Sequence, residues 1–138
     1  MAYEKTYKMF MQVISTIFSY LIQSGFKKQE MPLSNTKTYA QVIFVGKHVG
    51  LSFSYDFIEE VCDCAIAKVE SGEYVKLKGS KSLWLPLFSF LVERYKYRGG
   101  IKLNESMKKH QFAELYKFNE MLRAVGKSLI EDKKQAFE

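Results

Sequence analysis

The chain carries two cysteines, two prolines and two histidines in 138 residues, and each scarcity removes a class of explanation. Two cysteines cannot build a disulfide framework. Cys62 and Cys64 are also a poor pair for each other, because positions i and i+2 of a strand stand about 6.5 Å apart with parallel side chains. Such usage fits a reducing compartment, and the chain reads as cytoplasmic. Neither cysteine has a basic neighbour within three positions to lower its pKa, so a reactive thiol is not expected. With so little proline and only eight glycines, no long disordered or low-complexity region fits. His48 and His110 stand alone, without the C-x2-C or H-x3-H spacing of a structural zinc site. A phosphate-cradling glycine loop, a nucleophile elbow and a paired-histidine motif are all missing. No catalytic residues, metal or cofactor are therefore assigned. Long apolar runs are missing too: Gln12, Ser15, Thr16 and Ser19 interrupt Met9 to Ile22, which falls short of the ~20 residues of a membrane span and precedes no cleavage signature.

What the chain does have is hydrophobic residues, 47% of the whole, enough for one core in a single domain over residues 1–138. Leu51-Ser52-Phe53-Ser54-Tyr55-Asp56-Phe57 alternates apolar and polar residues without an error, the mark of a strand with one buried face. Similar runs lie on either side, giving strands over Tyr39 to Val45, Gly50 to Phe57 and Glu60 to Val69. The links are short enough to force antiparallel hairpins, so the order is a meander. Phe26 to Glu30 reads as a short edge strand, Pro32 to Lys37 as a turn-rich loop, and Tyr74 to Leu77 as either strand or loop.

The flanks carry helical spacing. Phe10, Val13, Ile14, Ile17, Phe18 and Leu21 share one face, and Ser24-Gly25 ends that helix. Ser82 is placed as the N-cap of a second helix running to Tyr97, with Pro86 in its first turn and Gly99-Gly100 as its stop. Phe112, Leu115, Phe118, Leu122, Val125 and Leu129 form a stripe about five turns long, capped by Asn104 or Ser106, with a frayed tail after Glu131. The expected fold is α+β: a small antiparallel meander of three to five strands packed by an N-terminal helix and two C-terminal helices.

Charge is unevenly distributed. From His48 to Ala67 there are four carboxylates (Asp56, Glu59, Glu60, Asp63) and no Lys or Arg, whereas Tyr74 to Lys102 holds seven cations against Glu93 alone. Carboxylates at a hairpin tip could hold a cation or serve as acid and base only if they converged in a dry pocket; exposed, they are a solvated tip or an anionic surface for a basic partner. The segment Arg94-Tyr95-Lys96-Tyr97-Arg98, running on to Lys102, interleaves cations with aromatics as a single-stranded nucleic-acid groove does. Its bland reading is complementation of a helix C-terminus. Trp84, in the apolar run Leu83 to Phe88, is read as packed against the sheet rather than as a partner hot spot.

Taken in order, Tyr20 to Lys27, Ala40 to Phe44, Gly50 to Asp56, Glu60 to Ile66 and Phe112 to Tyr116 resemble the small bacterial α+β proteins of uncharacterised families, several of which are similar to immunity proteins that neutralise contact-dependent or polymorphic toxins. The resemblance implies a cytoplasmic, non-enzymatic protein-binding module from a bacterium. Its acidic residues Asp56, Glu59, Glu60 and Asp63 would then meet a basic partner such as a toxin domain. The alternative is a single-stranded nucleic-acid binder using Arg94, Tyr95, Lys96, Tyr97 and Arg98.

Overall fold

Leu51, Phe53, Tyr55 and Phe57 all point into the core of the computed structural model, which describes residues 2–34 and 36–138. The first three lie on the third of five strands in meander order, and Phe57 just past its end: β1 (Lys27–Glu30), β2 (Tyr39–Val45), β3 (Val49–Asp56), β4 (Val61–Glu70) and β5 (Glu73–Val75), each antiparallel to the next. A sixth, β6 (Leu85–Pro86), pairs with β4 at Ala65 and Ile66. Helices flank the sheet in the chain: α1 (Glu4–Ile17) and α2 (Ser19–Gln23) before it, then α3 (Leu87–Tyr95), α4 (Glu105–Lys108), α5 (Ala113–Val125) and α6 (Lys127–Ile130), with a closing 3-10 turn over Lys134–Phe137. The architecture is α+β. No helix is long and apolar enough to cross a membrane among the described residues.

Register explains the core. Val42, Phe53 and Cys64 align across three strands, as do Phe44, Leu51 and Ile66, so one face of the sheet is apolar throughout. Onto it pack Phe18, stacked on Phe53 at 4.2 Å, and Phe112, edge-on to both Tyr55 at 4.8 Å and Phe10 at 5.5 Å. Burying each ring contributes about 1.5–3 kcal/mol, and each aromatic pair about 0.5–1.5 more. Cys62 and Cys64 lie in the same layer, both buried and free. Burial, with Glu114 and Asp63 adding to it at Cys62, pushes both thiols well above their ordinary pKa and keeps them protonated. Trp84 packs on the opposite face, against Tyr74 and over Gly50, where a Cβ would come within 3.0 Å of the Tyr74 ring.

The helices depart from the periodicity reading in four places. The N-terminal helix breaks at Phe18, whose ring turns onto Phe53; two residues earlier Thr16 Oγ1 donates to the Gln12 carbonyl, a competition that bends helices. α2 then ends as expected, with Gly25 at φ +101 and the Gly25 and Phe26 N–H groups donating back to Ile22 and Leu21. The helix placed from Ser82 begins only at Leu87, because Leu85 and Pro86 run along the open edge of β4, a position where proline's missing donor costs nothing. Its stop is Lys96 at φ +55 rather than Gly99-Gly100, which bend the loop beyond.

The late stripe is divided into α5 and α6. Asn104 caps not the stripe but the separate α4 before it, its Oδ1 accepting from Met107 N at 2.8 Å, while α5 starts at Phe112 with no side-chain cap. Gly126 separates α5 from α6 where a Cβ would meet the Leu122 carbonyl at 2.9 Å. Phe112, Leu115, Leu122 and Leu129 are buried; Phe118 and Val125 are half-buried. The tail after Glu131 is docked, not frayed. Ala136 and Phe137 are buried, Tyr95 Oη donates to the Ala136 carbonyl at 2.7 Å, and the Asp132 carboxylate accepts from the backbone N–H groups of Lys47, His48 and Val49 in the β2–β3 turn. Gly46 is required there, since any Cβ would overlap that carboxylate. Of the Pro32 to Lys37 loop, Asn35 lies outside the described residues.

Candidate docking surface at the acidic end of the sheet

The β3–β4 turn is built by its own first residue. Asp56 Oδ1 accepts from Ile58 N at 2.8 Å and Glu59 N at 2.9 Å, and the Asp56 carbonyl accepts from Glu60 N at 2.8 Å, with Glu60 in the left-handed region at φ +58. That is an aspartate turn closed on itself. Phe57 fixes the turn to the body: its N–H donates to the Thr38 carbonyl, and its ring stacks on Tyr3 at 4.4 Å with planes 5° apart. The tip is therefore a held structure rather than a loose loop.

Of the four sequence-predicted carboxylates, Asp56 is engaged in this turn. Glu59, Glu60 and Asp63 are exposed and make no ion pair among the described residues. They do not converge on a dry cavity, and no group of three or more His, Cys, Asp or Glu side chains able to hold a metal occurs among the described residues. Like charges this close raise the local negative potential without neutralisation from the protein itself.

Beside the carboxylates lies an apolar element that the strand pattern did not single out. Register places Tyr39, Asp56 and Val61 in one row, on the sheet face turned away from the core. Tyr39 is 41% exposed and Val61 42%, and Ile58 at the turn tip reaches 64%. Gln41, Ser54 and Asp63 make the next row inward, with Gln41 Nε2 donating to Ser52 Oγ at 3.0 Å farther along the same face. A small apolar surface framed by carboxylates results. At the open edge of β4 beside Val61, the Cys62 N–H is satisfied by Glu114 Oε2 from α5 at 2.9 Å. The one available signal was three large apolar residues on the polar phase or in the turn.

The basic segment is arranged differently. Tyr97 is buried and meets Phe88 edge-on, Tyr95 is tied to the tail, and Arg94 lies over Phe90 while donating to the Phe137 carbonyl at 3.2 Å. Lys96 and Arg98 are exposed. The two tyrosines thus face inward, and stacking of bases on them would require Tyr95 to release the tail and Tyr97 to leave Phe88. Comparison of the chain with protein-family models, curated proteins and solved structures gave no match.

Proposed function

We propose that this chain is a non-enzymatic protein-binding module of immunity type, docking a basic partner such as a toxin domain through the acidic end of its sheet. The observation that carries the reading is the coincidence, at a fixed turn and the strand ends beside it, of exposed Ile58, Tyr39 and Val61 with the unpaired carboxylates Glu59, Glu60 and Asp63. Apolar residues at the centre and charge at the rim divide the work of an interface: burial gives affinity, while opposite charge speeds encounter and rejects wrong partners. Neutralisation would follow from steric occlusion. Two free, buried thiols agree with a reducing cytoplasm as the place of action.

The test is titration of the purified chain against the product of its adjoining gene. Glu59→Lys/Glu60→Lys should slow association at least tenfold at low salt, and Ile58→Ala should speed dissociation. Tight binding that neither change alters would overturn the proposal.

A further inference from the structure

At the other end of the sheet the Gly46–His48 turn, the end of β4 and the C-terminal turn enclose a cleft of about 420 Å³, within the size range of small-molecule sites. Its charged lining is Lys47, Lys68 and Lys134 against the single carboxylate of Glu70, with His48 beside them. Glu70 is held by Lys68 at 2.9 Å, and that contact, with Lys134 adding to it, keeps its carboxyl below the ordinary range. Lys47 and Lys134 have no ion-pair partner among the described residues. Asp132 lies beneath the turn, and its two oxygens are already occupied by three backbone donors. Across the Lys47–His48 ridge a second hollow of about 550 Å³ adds Lys27 and no acid.

We propose that this cleft binds a phosphate group, as a small phosphorylated ligand rather than a carboxylate. No arginine lines it, so recognition falls to ammonium groups, and a phosphate dianion can take one from each of two lysines where a carboxylate carries a single charge. Lysine ammoniums are point charges on flexible stems, able to meet a tetrahedral dianion from several directions. The two lysines without ion-pair partners, Lys47 and Lys134, reach the cleft from separate elements, the hairpin turn and the tail that Asp132 ties to it. Val69 and Phe137 give the remaining wall an apolar surface for the organic part of such a ligand.

The test is a titration of the ¹⁵N-labelled chain with inorganic phosphate and with adenosine monophosphate, against sodium chloride of equal ionic strength. Saturable amide shifts at Lys47, His48 and Ser71 are expected, with a dissociation constant of order 1 mM for phosphate. Tighter binding of the nucleotide would assign an organic phosphate, and equal binding inorganic phosphate; either supports the site. Lys47→Gln/Lys134→Gln should weaken binding at least about tenfold, and Lys134→Gln alone about threefold, on side chains exposed enough to leave the fold intact. Shifts that fail to saturate and are matched by sodium chloride, or a constant unchanged in both variants, would overturn the inference.

Discussion

Both ends of the sheet are closed by an aspartate, and the two do it differently. At the acidic end Asp56 accepts from donors two and three residues on, so the turn is complete within its own hairpin. At the basic end Asp132 accepts from donors 83 to 85 residues away, so the β2–β3 turn depends on the C-terminal tail being home. The first arrangement leaves its neighbours free to face outward, and Ile58, Glu59 and Glu60 do so. The second uses the tail as a wall and creates a cleft. A local carboxylate makes a projecting tip, whereas a distant one makes an enclosure.

Substitutions separate the two. Asp132→Ala removes three charge-assisted acceptor contacts at once and should cost about 3 kcal/mol in urea-induced unfolding. A loss below about 1 kcal/mol would mean that the tail does not hold the hairpin. At the opposite end Phe57→Ala deletes the ring stacked on Tyr3 and should cost about 2 kcal/mol by the same measurement, less than a fully enclosed ring because this one lies at the rim of the core. Asp56→Ala removes only a local turn cap, for which about 1 kcal/mol is expected. If Asp56→Ala proved as damaging as Asp132→Ala, the contrast between local and distant closure would be wrong. Smallest of all, Glu59→Lys/Glu60→Lys should change stability by less than about 0.5 kcal/mol, because neither side chain touches a partner in the fold. A larger loss would place those residues in the scaffold and not on a docking surface.

The part of this molecule legible in the sequence is the part with short-range causes. The apolar row of β3, its hairpins with β2 and β4, and the Gly25 stop depend on residues a few positions apart, and each is where the pattern puts it, whereas Asn104 caps the short α4 and not the stripe helix. Helix limits were less legible. Phe18, Pro86 and Gly126 interrupt periodic stripes for reasons supplied by Phe53, by the edge of β4 and by close packing on Leu122. The acidic cluster was visible as a composition bias, but composition did not show that Asp56 closes the turn while its neighbours stay free. Nor did it show that Tyr95 and Tyr97 face inward, because a run of alternating cations and aromatics has the same letters whichever way the rings point.

By itself the amino-acid order determined an α+β chain, a meander with one apolar face and an electrically lopsided surface. Periodicity, turn chemistry and net charge are properties of neighbouring residues, and they survive without knowledge of the fold. Tertiary structure alone decided which carboxylate is bound and which is free, where the last seven residues go, and that Lys47, Lys68 and Lys134 share a cleft. Those outcomes rest on contacts between segments far apart in the chain, chosen by how a whole core closes rather than by any local preference.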